Sequence, residues 1–210
     1  MKVLWLGYNQ PYARTHSLMK ALLEQRVANE IEDHLLLVEH QPTYTIGRRR
    51  ESNQNVLNPQ DVPVVPIERG GDVTFHGPGQ ITGYPILKLP DHRKDLHAYL
   101  HFLEDFWIEF LQKMNIDAKR DPRNTGVWVE QKKMVAIGIA CRRWVTWHGF
   151  ACNAFVDLEY YQRINPCGMS STLVTNINNY RHIESLEVLA SSVGDAFEQK
   201  WSDWIKQSKQ

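Results

Sequence analysis

Arg69-Gly70-Gly71-Asp72-Val73-Thr74-Phe75-His76-Gly77-Pro78-Gly79-Gln80 is the stretch from which the rest of the chain is read. Four glycines and a proline surround one arginine, one threonine and one histidine. Glycine costs backbone entropy, so a cluster of it marks positive φ or a close approach to the backbone. The Gly70-Gly71 pair exposes backbone N–H groups, and His76 ahead of Gly-Pro-Gly adds an imidazole at the rim. A surface hairpin alone accounts for Gly-Pro-Gly. The flanking Arg69, Thr74 and His76 favour a loop that holds a ligand, with other segments as its walls.

Strand patterns enter and leave this loop at residues 64–68 and 80–89, the second closed by Pro90. On the N-terminal side, residues 1–8 read as a first strand. Residues 12–33 read as a helix with Leu18, Met19, Leu22, Leu23, Val27 and Ile31 at helical spacing. The short apolar run 34–39 reads as a buried strand, 43–47 as extended, and the Asn- and Gln-rich 50–62 as a mobile surface loop. On the C-terminal side, 96–114 reads as an amphipathic helix, followed by strands over 126–130, 134–142 and 146–157. Gln131-Lys132 marks a hairpin turn between the first two. Residues 160–175 are irregular, and a last helix runs from about Ser185. The layout is α+β: one domain over residues 1–210, with helices packed on a mixed, largely antiparallel sheet.

The totals restrict the function classes. Lys+Arg and Asp+Glu both number 24 in 210 residues, which argues against bulk nucleic-acid binding. No apolar run reaches the ~18–20 residues of a membrane span. Three cysteines without close pairing suggest a reducing, cytoplasmic setting. Arg48-Arg49-Arg50 and Arg142-Arg143 are two local basic patches.

Cys167 has the most suggestive setting of the three thiols. Pro166 keeps Asn165 out of the α region, and Gly168 leaves the backbone after the sulfur open. Such a turn exposes a thiol and offers an N–H to a developing oxyanion, although a structural thiol fits the pattern as well. Cys141 and Cys152 lie in apolar strand patterns and read as buried structural thiols. A nucleophilic cysteine needs a cation or histidine to lower its pKa. Lys132, Lys133 and His148 are candidates, and strand alternation lets only one of the two lysines face a pocket. No short Cys or His spacing suggests a metal, and neither a Walker loop nor GxGxxG is present.

The glycine loop 69–80, then Lys133, then His148-Gly149-Phe150-Ala151-Cys152-Asn153, then Asn165-Pro166-Cys167-Gly168, closely resemble the octanoyltransferases of lipoate biosynthesis. Order and spacing match from about Leu36 to Gly168. The resemblance implies the biotin/lipoate protein ligase catalytic-domain fold and ping-pong octanoyl (or lipoyl) transfer, the first committed step of endogenous protein lipoylation. The donor is octanoyl-acyl carrier protein. The acceptors are lipoyl domains of 2-oxoacid dehydrogenase E2 subunits and the glycine cleavage H protein. It implies Cys167 as the acyl-thioester nucleophile and Lys133 as the lysine that lowers its pKa. Arg69, Gly70, Gly71, Asp72, Val73, Thr74, Phe75 and His76, with Ala136, Ile137, Gly138, Gly149, Phe150 and Ala151, match the segments lining the acyl pocket. No cofactor, metal, nucleic acid or membrane is implied. Asp72 and Cys152 depart from the pattern, where a neutral polar and an aliphatic residue are expected. The rivals are an ATP-dependent lipoate or biotin ligase of the same fold, a non-catalytic carrier- or lipoyl-domain-binding protein, and a cysteine thioesterase.

Overall fold

A computed structural model describes residues 1–166 and 169–207. The elements are β1 (Lys2–Trp5), α1 (Tyr12–Val27), β2 (His34–Val38), β3 (Thr43–Ile46), β4 (Val64–Pro66), β5 (Val73–His76), β6 (Gln80–Lys88), α2 (Leu96–Lys113), β7 (Ala118–Lys119), β8 (Gly126–Val129), β9 (Lys132–Arg142), β10 (Val145–Asn153) and α3 (Leu186–Lys206). Seven strands form one sheet in the order β1-β2-β6-β10-β9-β8-β7, and three form a second in the order β4-β3-β5. Among the named strands of the described residues, only β1–β2 and β3–β4 pair in parallel. The expected mixed sheet is thus two sheets, and β5 lies in the middle of the glycine loop. Residues 73–76 are strand, with turns on either side.

Period-2 alternation explains how the large sheet is covered on both faces. Leu35 and Leu37 of β2 join the core under α2 and α3, where Phe106, Trp107 and Phe197 pack against Phe150. Leu36 and Val38 point the other way, toward Tyr12, Met19 and Leu23 of α1. The small sheet has its own core of Tyr44, Val73, Phe75, Tyr161 and Ile164. Helix α2 starts at Asp95, whose carboxylate accepts from the backbone N–H groups of His97 and Ala98, a cap worth about 1 kcal/mol. Ser185 does the same for α3 through Val188.

Several boundaries differ from expectation for local reasons. Helix α1 stops at Val27, because Asn29 takes φ +60°, and Leu18 faces outward from it. The β8–β9 turn falls on Glu130-Gln131, with Glu130 at φ +55°. The 50–62 loop is tied down: the N–H groups of Leu57 and Asn58 donate to the Arg163 carbonyl, and Asn165 N–H donates to the Asn55 carbonyl. The two-residue strand β7 carries too little pattern to be read from sequence. Among the described residues no helix is long and apolar enough to cross a membrane.

Candidate active site

Where the two sheets meet, a cavity of about 360 Å³ opens, within the range of small-molecule sites, about 300–1,000 Å³. Arg69, Gly70, Gly71, Asp72, Val73, Thr74 and His76 line one wall; Ala136, Ile137 and Gly138 of β9 and Gly149, Phe150 and Ala151 of β10 line another. Phe75 is the exception among the expected lining residues. It is not part of the wall; its ring stacks on Tyr160 at 4.4 Å inside the small core, which Val73 also joins from the same face of β5 while bordering the cavity. The glycines at this junction are steric necessities. A Cβ on Gly149 would lie 2.5 Å from the Gly83 carbonyl oxygen, and one on Gly47 would lie 2.4 Å from that of Gly71, itself at φ +85°.

The glycine-loop wall is held by a continuous hydrogen-bond chain. Arg69 is buried, and its Nη2 donates to the Thr45 carbonyl (2.9 Å) and hydroxyl (3.0 Å) while Nη1 donates to the Gly70 carbonyl. The Thr45 hydroxyl then lies 3.2 Å from His76 Nε2, and His76 Nδ1 lies 2.8 Å from Gln80 Oε1. Gln80 Nε2 continues to the Phe75 carbonyl and to Asn153 Oδ1. Because Gln80 spends its amide N–H groups there, its oxygen accepts, so His76 carries its proton on Nδ1 and takes the Thr45 hydroxyl at Nε2. Burial, with the nearby His40 and Arg69, holds the His76 imidazolium far below its usual range. His76 is therefore a neutral strut of the loop. Asp72, also buried, accepts from Asn55 and from the Val73 N–H.

On the facing wall, Lys132 points to solvent and Lys133 is buried, 6% exposed, the split that strand alternation demands. Lys133 Nζ lies 2.8 Å from Asn124 Oδ1 and 5.5 Å from the Trp128 ring centre. Gly126, at φ +137°, leaves room for it: a Cβ there would lie 2.7 Å from Lys133 Cε. The Gly126 N–H donates to Glu104 Oε1 of α2, and Arg120 holds the other oxygen of that carboxylate. Cys167 and Gly168 lie outside the described residues. Their neighbours Pro166 and Met169 both line the cavity. Beyond them, the Thr175 N–H donates to the Lys133 carbonyl at 3.0 Å, and Lys133 pairs with Val174. Residues 174 and 175 thus run beside Lys133.

Of the other thiols, Cys152 is fully buried and burial raises its pKa, whereas Cys141 is only half-buried and departs from the expected core position. Tyr12, Tyr84, Leu100 and Asn124 also line the cavity without having stood out. Tyr12 and Leu100 read as ordinary apolar helix positions, and Asn124 is one polar residue in a loop.

Residues 11–198 match the family model of the lipoyl protein ligase A/B catalytic domain. An octanoyltransferase of Thermoanaerobacter sp. (strain X514) is 39% identical over 201 residues, 93% of this chain and 88% of that one. An octanoyltransferase of Geobacter sulfurreducens is 44% identical over 178 residues, 85% and 74% of the two chains. Among solved structures, a lipoate-protein ligase A bound with ATP superposes with a TM-score of 0.76 at 13% identity, covering 96% of this chain and 85% of that one. A biotin protein ligase from Aquifex aeolicus in complex with biotin and ATP gives 0.60 at 14%, over 99% and 73%. These two likenesses establish the fold. With the family model across most of its length and octanoyltransferase relatives at this identity, the chain belongs to the lipoyl protein ligase A/B catalytic-domain family and, within it, to the octanoyltransferases.

Proposed function

We propose that the chain transfers an octanoyl group from acyl carrier protein to a lysine of lipoyl domains through an acyl thioester on Cys167, with Lys133 as the proton-transfer group and the 69–76, 136–138 and 149–151 segments as the acyl pocket, Phe75 supporting it from behind. The observation that carries the reading is a buried lysine in the cavity wall, backbone-paired to the segment that follows Cys167. The Lys133 ammonium stabilises the Cys167 thiolate, which attacks the thioester carbonyl. The carbonyl carbon–sulfur bond of the donor breaks, and the departing phosphopantetheine thiolate takes a proton from Lys133. The neutral amine then accepts a proton from the incoming lysine as nitrogen attacks the acyl-enzyme, and Cys167 leaves as thiolate, restoring the starting pair. A thioester becomes an amide, so the exchange is downhill and needs neither ATP nor a metal in the reaction. The apolar walls, Ile137, Ile139 and Phe150 among them, grip the chain at about 0.8 kcal/mol per buried CH2. Acceptors are the lipoyl domains of 2-oxoacid dehydrogenase E2 subunits and the glycine cleavage H protein, in the cytoplasm.

Intact mass after incubation with octanoyl-acyl carrier protein tests this directly. The wild type is expected to gain one octanoyl group that an apo lipoyl domain discharges, and Cys167→Ala to gain none. Transfer that needs ATP and free octanoate, with no adduct, would move the protein to the ligases.

A further inference from the structure

We propose that His16, Glu68 and His148 form a binding site for one divalent transition-metal ion of the zinc class, distinct from the Cys167–Lys133 pair and bordering the acyl cavity, whose wall includes His148. The residues come from α1, from the turn between β4 and Arg69, and from the middle of β10. One donor atom from each lies within 4.8 Å of the others. His16 Nε2 is 2.8 Å from Glu68 Oε2, and His148 Nε2 is 3.7 Å from the same oxygen. Tetrahedral zinc, with nitrogen and oxygen ligands at about 2.0–2.1 Å, separates its donor atoms by roughly 3.3 Å, between these two spacings.

Two features of His148 point to a ligand. It is 2% exposed, and among the described residues its Nε2 has no hydrogen-bond partner although it faces a carboxylate. Its backbone stands at φ +55° in the middle of a strand, a conformation a non-glycine residue keeps only when the surroundings force it, and one that gathers at functional sites. The Trp147 ring, stacked at 4.3 Å, helps fix the imidazole in this orientation. The Glu68 carboxylate is shared between neighbours, with His16 Nε2 on Oε2. Lys20 occupies only Oε1, at 2.8 Å, leaving Oε2 for the metal and acting as an outer-shell partner. Two imidazoles and one carboxylate select zinc, nickel or copper over magnesium or calcium, which require oxygen-rich shells. On ligation His16 exchanges its hydrogen bond to Glu68 for the metal, with its ring proton moving to Nδ1. The ion would clamp α1 to the base of the glycine loop at Arg69 and to the strand that continues into Gly149-Phe150-Ala151. Short-spacing rules do not detect this arrangement, since the ligands lie 52 and 80 residues apart.

Equilibrium dialysis of the intact chain against micromolar zinc at neutral pH, with metal counted by mass spectrometry, tests the assignment. His16→Gln removes the imidazole but keeps an N–H donor for Glu68; Glu68→Gln is the second variant, and thermal melting checks the fold of both. One zinc per chain is expected in the wild type and in Cys167→Ala, with binding at least 10-fold weaker in both site variants. Zinc should raise the melting temperature of the wild type and leave that of His16→Gln unchanged. Cobalt in place of zinc should show visible d–d bands without thiolate charge transfer. Less than stoichiometric zinc in the wild type, zinc retained by His16→Gln, or zinc lost in Cys167→Ala would each overturn the proposal.

Discussion

Two walls of the cavity each bury a cation, Arg69 at 8% exposure and Lys133 at 6%, and they hold it in different ways. The Arg69 guanidinium is forked onto the Thr45 carbonyl and hydroxyl and the Gly70 carbonyl, and the chain continues through His76 to Gln80. A guanidinium keeps its proton at any working pH, so this wall is a fixed scaffold. Lys133 is an ammonium beside a loop amide and an indole face. In the proposed reaction this ammonium gives up its proton and regains it within one turnover. The glycine-rich segment, which dominates the sequence, supplies the shape of the site. In the proposed reaction the plainer β8–β9 region supplies the group that moves a proton.

Exchanging each cation for methionine separates these roles. Lys133→Met keeps the aliphatic stem against Trp128 and removes the charge. The transfer rate is expected to fall by roughly 10²–10⁴, the usual worth of a general acid–base group, while the melting temperature shifts little. Arg69→Met is expected to act on stability, because it leaves the Thr45 and Gly70 carbonyls without their donor at about 1–3 kcal/mol each. About 3 kcal/mol corresponds to a loss of roughly 6–12 °C in a chain of this size. Calorimetry and steady-state rates on the two variants measure both. If Lys133→Met melts early and Arg69→Met does not, the assignment of scaffold and chemistry is reversed.

Acid acts mainly on the scaffold side. His40, wholly buried, has Nδ1 3.1 Å from the Gln10 carbonyl and Nε2 2.8 Å from the Tyr84 hydroxyl, and burial lowers it to about 4. The unfolded chain takes up this proton near 6.5 while the folded one does not. Stability is therefore full above pH 6.5 and falls as the pH drops toward 4. The His40 contribution is at most about 3 kcal/mol, and His76 and His148 act in the same direction. Melting temperatures over pH 7 to 4.5 should decline, and His40→Gln should flatten the slope. An unchanged slope in that variant would assign the acid sensitivity to the other histidines.

Asn124→Asp probes the Lys133 wall with a smaller change. A carboxylate 2.8 Å from Nζ favours the ammonium and raises the lysine pKa by about one unit or more. The amine that must accept the acceptor's proton becomes scarcer, so transfer at neutral pH is expected to drop about 10-fold and to recover at alkaline pH. Acylation of Cys167, which uses the ammonium, should be spared. An unshifted pH profile would reduce Asn124 to a structural residue.

The legible and illegible parts of this molecule follow the same division. The glycine loop, both long amphipathic helices and the β9–β10 pair carry patterns that act within a few residues: turn chemistry, the helical period, strand alternation. That alternation also assigned Lys133 and Lys132 to opposite faces once either was placed at the site. A motif match treats 69–76 as one lining, whereas the Phe75 ring is taken up by the small-sheet core against Tyr44 and Tyr160. Asn124, Glu104 and the pairing of Lys133 with Val174 depend on contacts across 9, 22 and 41 residues. No local period encodes those contacts. The division into two sheets is hidden for a similar reason, since β3 and β4 read as further strands of one sheet and β5 reads as part of the glycine loop.

The smallest expected effect concerns the approach to the cavity, where sequence left two basic patches equal. Arg142 forms an ion pair with Glu24, while Arg49 lines the cavity, half-exposed and 4.0 Å from Asp72. An acidic carrier protein delivering an acyl chain into this cavity would meet Arg48–Arg50, which lie exposed on the glycine-loop side. Arg49→Glu is expected to raise the KM for octanoyl-carrier protein about 2- to 5-fold, the size of one exposed ion pair, and the increase should shrink as salt screens it. Arg142→Glu sets two acids side by side away from the cavity and should leave KM unchanged. An increase from Arg142→Glu and none from Arg49→Glu would move the docking surface to the β9–β10 turn and leave the scaffold wall no part in receiving the donor.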